Sequence, residues 1–236
     1  MTAIRIFIGF DLGEKVAFHA CSESIIARAS VPVSITPLAL LNLDEYIERH
    51  GDGSNDFTYA RFLVPYLCEF KGWAIFLDGD MVVRDDIAKL YAMRDDEYAA
   101  MVVKHDYKTK RHIKYRGSAN HDYPRKNWSS VVLWNCGAFQ NRNLTPQRIG
   151  LESGSYLHRF SWLEDRKIGS LPKEWNWLVN EYPANPQAKL LHYTLGVPDF
   201  KGCENSDHRE EWDEAVQQAG SHYEEIIGQR MRASQR

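Results

Sequence analysis

Short apolar runs alternate with amphipathic stretches along the first hundred residues of the chain. The run at 4–10 is rich in β-branched residues and predicts a strand, and apolar positions between 16 and 30 recur at helical spacing. Further strands are predicted at 33–38, 73–77 and 98–103. Because strands that alternate with helices pair in parallel, the pattern predicts a single α/β domain with a mostly parallel central sheet flanked by helices.

Three further parts of the chain have patterns of their own. Residues 59–70 place aromatic and aliphatic side chains at helical spacing, with Arg61 off that stripe. Basic residues and tyrosines without periodicity fill 104–127, which predicts a solvated loop; long loops in compact domains often act as lids. Residues 205–236 are highly charged with sparse apolar positions, so we expect a helical tail after a main domain at 1–204.

Composition limits the partners that the protein can have. The chain has 29 Lys and Arg against 32 Asp and Glu, a net charge of −3, so it lacks the basic field that attracts nucleic acid. No apolar run approaches the ~20 residues needed to span a bilayer, and the N-terminus lacks the apolar region of a secretory signal. We therefore expect a cytoplasmic protein without an integral membrane segment, and peripheral attachment to the inner face of a membrane stays open. The four cysteines show no paired spacing, which favours free thiols.

The chemically most informative segment follows the predicted strand at 73–77. It carries two carboxylates, Asp78 and Asp80, separated by Gly79. In open α/β sheets ligands bind beyond the carboxyl ends of the strands, so both carboxylates would lie at the binding edge. Carboxylates this close repel each other unless a cation neutralises them, and their hard oxygens suit Mg²⁺ or Mn²⁺. Asp and Gly are also common turn residues, so a plain turn is the alternative.

Five short motifs, taken in order, resemble those of the family 8 glycosyltransferases. They are Thr58-Tyr-Ala-Arg61, Leu77-Asp78-Gly-Asp80, Trp134-Asn135-Cys-Gly137, Leu163-Glu164-Asp165 and Leu191-His192-Tyr193. The resemblance extends from about residue 4 to 200. It implies a Rossmann-like GT-A fold, a nucleotide-sugar donor with UDP as the expected nucleotide, and retention of the anomeric configuration. The acceptor, whether glycan, lipid or protein, is not identified by it.

The resemblance also implies roles for single residues. Asp78, Asp80 and His192 would coordinate a divalent ion, Mn²⁺ or alternatively Mg²⁺. The catalytic set around the anomeric carbon would be Glu164, Asp165 and Asn135. The donor would be bound by Phe10, Asp11, Arg61, Asp106 and Lys201. Two matches are incomplete, because the family has Asp and Gln in place of Leu163 and Glu164 and its Lys-Pro-Trp run is missing after His192.

Two other functions fit parts of the sequence. The spacing Asp78-x-Asp80-x-Val82 also fits the first motif of haloacid-dehalogenase-type phosphatases, in which the first Asp is a nucleophile and Mg²⁺ is required. That family normally opens with this strand, whereas here a whole strand-helix-strand-helix unit precedes it. The incomplete Leu163-Glu164-Asp165 match leaves a non-catalytic nucleotide-sugar-binding module as the other alternative.

Overall fold

The computed structural model of the protein describes residues 2–106, 108–109 and 121–220. Its strands are β1 (Ile4–Phe10), β2 (Val33–Ala39), β3 (Trp73–Leu77), β4 (Met81–Val83), β5 (Ala100–Val102), β6 (Val131–Asn135), β7 (Ile168–Ser170), β8 (Trp177–Leu178) and β9 (Leu190–His192). Its α-helices are α1 (Lys15–Ile26), α2 (Val64–Leu67), α3 (Ile87–Tyr91), α4 (Pro146–Ile149), α5 (Gly154–His158) and α6, which includes residues 209–220. Every strand predicted in the first hundred residues is present.

The central sheet has six strands in the order β2-β1-β3-β6-β5-β7. Strand β1 pairs in parallel with β2 and β3, and β5 pairs in parallel with β7. Strand β6 lies between β3 and β5 and is antiparallel to both. Five strands therefore run in one direction and one runs against them, which confirms the mostly parallel sheet.

A second sheet of three strands, β4-β9-β8, lies beside the first. Its strands β4 and β9 are antiparallel, with Met81 opposite His192. The backbone N–H of Tyr193 donates to the carbonyl of Asp80 at 3.0 Å. This register places the end of β9 directly beside the segment that follows β3.

The core covers both faces of the central sheet. Residues 74–77 of β3 are all fully buried, as expected for a parallel strand that is covered on both sides. Phe76 faces the aromatic cluster that includes Phe62 and Trp134, whereas Leu77 faces the cluster around Ile25 of α1. The apolar run that precedes the two aspartates is therefore held rigidly from both sides.

The segment at 59–70 is less helical than predicted. A 3-10 helix covers Ala60–Leu63 and α2 follows it for only four residues. Pro65 lies in the first turn of α2, where its missing N–H costs nothing. Glu69 and Phe70 have φ angles of 52° and 53°, which ends the helix.

The described part of the predicted tail packs closely on the domain. In α6 the indole of Trp212 is fully buried and contacts the ring of Tyr193 edge to face, with ring centroids 5.3 Å apart. Its indole N–H donates to Asp199 at 3.1 Å. Residues 221–236 lie outside the described residues. Within the described ranges no helix is long and apolar enough to cross a membrane.

Candidate active site

A cavity of about 290 Å³ opens where the carboxyl end of β3 meets the start of β6 and the end of β9. Polar side chains from five separate parts of the chain line it. These are Asp52, Ser54, Asn55, Thr58, Tyr59 and Arg61, then Asp78 and Asp80, then His121, Tyr123, Lys126, Asn127, Ser129 and Ser130, then Ser155 and His158, and finally His192 and Thr194. Its position agrees with the rule that ligands bind beyond the carboxyl ends of parallel strands.

Asp78, Asp80 and His192 converge at this cavity. His192 Nε2 lies 3.4 Å from Asp80 Oδ1 and 3.8 Å from Asp78 Oδ2, and one ligand atom of each residue lies within 4.8 Å of the others. The two aspartates flank the turn between β3 and β4, and the pairing of β4 with β9 brings in the histidine. Two carboxylate oxygens and one imidazole nitrogen suit a divalent ion such as Mn²⁺. The residues therefore fit a metal site.

Gly79 allows the two aspartates to take these positions. A Cβ atom built on it would lie 2.5 Å from the carbonyl oxygen of Gly9 at the end of β1, closer than real Cβ contacts come. The turn after β3 thus packs directly on the backbone of β1, and only glycine fits there.

Arg61 is buried and forms an ion pair with Asp78, with 2.7 Å between the guanidinium Nη1 and Oδ1. Its guanidinium lies over the neighbouring rings of Phe57 and Phe76, 5.3 and 5.2 Å from their centroids. It also donates to the carbonyls of Thr58 at 2.9 Å and Ser129 at 3.1 Å. The planar guanidinium therefore holds Oδ1 of Asp78, whereas His192 lies near the other oxygen, Oδ2.

A buried thiol and a half-buried imidazole close to the site stay neutral. Burial, reinforced by the negative charges of Asp80 and Asp78, raises the pKa of the Cys21 thiol. Burial and the nearby His192 and Lys173 lower the pKa of His105 to about 3, and its Nδ1 lies 2.8 Å from the hydroxyl of Tyr182. All four cysteines are free and buried, as predicted.

Two of the predicted donor-binding residues, Phe10 and Asp11, lie close to the metal-site edge of the sheet. Phe10 and Asp11 lie at the carboxyl end of β1, on the same edge as Asp78. Asp11 is buried and accepts hydrogen bonds from the backbone N–H of Gly13 at 2.7 Å and of Asp56 at 3.2 Å. It therefore fixes the loops on either side of the β1 end, and a direct contact with a nucleoside stays a prediction.

Asp106 and Lys201 are exposed and do not line the cavity. Among the described residues, the lysine in the cavity lining is Lys126, which is buried and donates to the carbonyl of His121 at 2.7 Å and to Thr109 Oγ1 at 3.0 Å. It comes from the basic segment 104–127, of which residues 107 and 110–120 lie outside the described residues. Lys126 therefore lies in the cavity lining, and Lys201 does not.

Asn135 requires a correction. It pairs with Trp73 at the amino end of β3, and its amide donates to the carbonyl of Tyr98 at 3.1 Å. Because β6 is antiparallel, the beginning of the strand meets the metal site, and Asp78 N–H donates to the carbonyl of Ser130 at 3.0 Å. Asn135 lies at the opposite end of the strand from the cavity.

Glu164 and Asp165 do not lie where the resemblance to family 8 implies. They precede β7, which is parallel to β5, so they lie at the amino edge of the sheet, away from the cavity. Both are exposed, and they form ion pairs with Arg166 and Arg125. Their positions do not support contact with an anomeric carbon.

The wall that sequence reasoning missed comes from loop 52–59 and from α5. The hydroxyl of Tyr59 donates to Asp52, which is the carboxylate of the cavity lining outside the metal cluster. Ser129 Oγ lies 2.8 Å from Nδ1 of His158. A Cβ atom at Gly154 would lie 2.6 Å from the Tyr59 hydroxyl oxygen, so the wall is closely packed.

Several solved structures with this architecture are glycosyltransferases. The bifunctional glycosyltransferase WbbM superposes with a TM-score of 0.62 and 15% identity over 91% of this chain and 50% of that chain. GlyE of Streptococcus pneumoniae superposes with a TM-score of 0.60 and 15% identity over 96% of this chain and 64% of its own. This chain thus spans less than two thirds of either. Galactosyltransferase LgtC, solved with donor and acceptor sugar analogues, has a TM-score of 0.56 and 12% identity over 90% of this chain and 95% of its own.

The fold is therefore that of the GT-A glycosyltransferases. The family profile described as glycosyl transferase family 8 matches residues 31–198. "Protein CDI" of Arabidopsis thaliana is 44% identical over 215 residues, which cover 86% of this chain and 83% of that protein. The chain belongs to glycosyl transferase family 8 and is a glycosyltransferase. This assignment replaces the phosphatase alternative.

Proposed function

We propose that the protein transfers a sugar from a UDP-linked donor to a glycan, lipid or protein acceptor, with Mn²⁺ in the site or Mg²⁺ in its place. The observation that carries the proposal is the convergence of Asp78, Asp80 and His192 in one cavity, with Arg61 paired to Asp78 at 2.7 Å. Membership of family 8 supplies the reaction class.

Different residues in and beside the cavity would bind the metal ion, the diphosphate and the nucleoside of the donor. Asp78, Asp80 and His192 would hold the ion, which when bound supplies Lewis-acid stabilisation of a leaving diphosphate. Arg61 keeps Asp78 in place and adds positive charge at the same point. Lys126 adds a second cation to the lining and favours the diphosphate electrostatically. Phe10 and Asp11 are the proposed nucleoside contacts, since they lie one strand away on the same edge.

Retention of the anomeric configuration is part of the proposal. In that reaction the acceptor attacks from the face that the diphosphate leaves, and a departing phosphate oxygen can take the acceptor proton. A general base on the opposite face is then unnecessary, which agrees with the exposed positions of Glu164 and Asp165 outside the cavity lining. An α-linked product from an α-linked donor, identified by NMR, supports retention, whereas a β-linked product rejects it.

Thermal shift measurements test the metal-dependent binding of a nucleotide. We expect UDP together with Mn²⁺ to raise the Tm of the wild type, and we expect this shift to be lost in Asp80→Asn and His192→Ala. Asp165→Asn is the matched control because it removes an exposed carboxylate away from the cavity. An equal shift in all four proteins would reject the metal site. A panel of UDP-sugars, followed by measurement of UDP release without acceptor, then identifies the donor.

A further inference from the structure

Asn176 contacts one of the three metal-site residues and is itself fully buried. It ends the 3-10 helix Lys173–Asn176, and its Oδ1 lies 2.9 Å from Nδ1 of His192. Its amide nitrogen Nδ2 donates to Ser130 Oγ at 2.8 Å and to the carbonyl of Asn127 at 3.4 Å. Every polar atom of this side chain therefore has a protein partner.

These partners determine which way round the amide lies. The carbonyl of Asn127 can only accept a hydrogen bond, so the NH₂ group must face it and Oδ1 must face the imidazole. Since Oδ1 can only accept, the proton of His192 is on Nδ1. In the neutral ring the lone pair is then on Nε2, the atom that points at Asp78 and Asp80. That tautomer is the one that a metal ion between the three residues requires.

The same bonds reach the other side of the metal site. Ser130 Oγ donates to the carbonyl of Asn127 at 2.7 Å, and the carbonyl of Ser130 accepts from the backbone N–H of Asp78 at 3.0 Å. Asn176 therefore connects His192 on β9 of the small sheet with the residue that holds Asp78 at the end of β3 in the central sheet. The two ligands come from different sheets, and this buried amide lies between them.

We propose that Asn176 is a positioning residue for the metal site, holding His192 in the rotamer and tautomer that present Nε2 to the ion. This inference rests on the proposed function, because it presupposes that His192 is a ligand. Groups that hydrogen-bond the distal nitrogen of a metal-binding histidine typically contribute about 10–100-fold to metal affinity.

Isothermal titration calorimetry with Mn²⁺ alone, without a nucleotide, tests the inference on two variants. One removes the hydrogen-bond acceptor for His192 Nδ1–H and the other keeps it. Asn176→Leu has a similar volume but no acceptor for Nδ1–H, so we expect Mn²⁺ affinity to fall by about 10–100-fold. Asn176→Asp keeps an acceptor for Nδ1–H but loses the NH₂ donor to the carbonyl of Asn127 and to Ser130 Oγ, so we expect a lower Tm with Mn²⁺ affinity within about threefold of the wild type or higher. If Asn176→Leu does not fold, Asn176→Ala takes its place with the same expected loss.

Asn141→Leu is the matched control. Asn141 is also a fully buried asparagine whose amide donates to two backbone carbonyls, those of Ala99 and Asn135, at 2.8 and 2.9 Å. It lies at the far end of β6, so its replacement should lower the Tm and leave Mn²⁺ affinity unchanged. This control separates loss of packing from loss of ligand orientation.

Three outcomes contradict the inference or its premise in distinguishable ways. Unchanged Mn²⁺ affinity in Asn176→Leu would reject the positioning role. A similar loss in both Asn176→Leu and Asn176→Asp would reduce Asn176 to a packing residue and also reject it. If the wild type does not bind Mn²⁺, or if His192→Ala binds it equally well, the proposed metal site itself fails.

Discussion

Breaking the buried ion pair between Arg61 and Asp78 should lower the free energy of unfolding strongly. The size of this loss depends on the burial of the pair rather than on its N···O distance. In Arg61→Met the aliphatic bulk against Phe57 and Phe76 is largely kept, but the Asp78 carboxylate loses its counter-ion. The side chains of the pair are only 7% and 13% exposed. Removing one partner of such a buried pair costs about 3–5 kcal/mol, because the remaining charge stays desolvated.

The exposed pair of Glu164 and Arg166 is the matched comparison. Its N···O distance is also 2.7 Å, but its side chains are 69% and 76% exposed. Solvent screens such a pair almost completely, so Arg166→Met should leave the stability unchanged within experimental error. Because the two pairs have the same N···O distance and differ in burial, the difference between their variants measures the effect of desolvation.

Urea denaturation at neutral pH in the presence of a chelator measures both effects. We expect Arg61→Met to lower the free energy of unfolding by about 3–5 kcal/mol and Asp78→Asn, added to it, to recover part of that loss. A destabilisation of Arg61→Met below about 1 kcal/mol, or additive effects in the double variant, would refute the argument.

Four further outcomes follow from the structure. Gly154→Ala should lower both the Tm and the rate of UDP-sugar hydrolysis, because its Cβ would lie 2.6 Å from the hydroxyl oxygen of the buried Tyr59 in the closely packed cavity wall. Glu164→Gln should leave the hydrolysis rate unchanged, because this carboxylate is exposed away from the cavity. Trp212→Ala should lower the free energy of unfolding by about 3–5 kcal/mol in urea, because the indole is fully buried. His105 has a folded-state pKa of about 3 against an ordinary 6.5, so below pH 6.5 only the unfolded chain takes up its proton. Stability should therefore fall by about 2 kcal/mol on going from pH 7 to pH 5, and less in His105→Gln.

The sequence predicts the part of the site that depends on local pattern. The apolar run before Asp78 is a strand buried on both faces, and its end lies at the ligand-binding edge as expected for a parallel strand. Short motifs point to Arg61 and His192, and pairing of β4 with β9 brings the histidine to the carboxylates. The pattern of apolar residues also predicts the mostly parallel sheet.

Strand direction explains the residues that were misplaced. A run of apolar residues does not reveal which way its strand runs, and β6 runs against its neighbours, so Ser129 and Ser130 reach the cavity while Asn135 lies at the other edge. Glu164 and Asp165 precede a parallel strand and therefore lie at the amino edge. A motif of two or three residues does not contain this information.

The role inferred for Asn176 had a signal in the sequence that pattern alone could not interpret. A polar residue between Trp175 and Trp177 suggests a buried side chain with a specific partner. That partner is 16 residues further along the chain, on a strand of the second sheet. Only the tertiary arrangement shows that it is His192.

A crystal structure with Mn²⁺ and UDP, using anomalous scattering at the manganese edge, tests the central claim most directly. The account predicts one strong anomalous peak in the cavity, about 2.0–2.3 Å from a carboxylate oxygen of Asp78, a carboxylate oxygen of Asp80 and Nε2 of His192, with diphosphate oxygens completing the coordination. A peak elsewhere, or UDP bound in the cavity with no metal and with His192 turned away from both carboxylates, would contradict it.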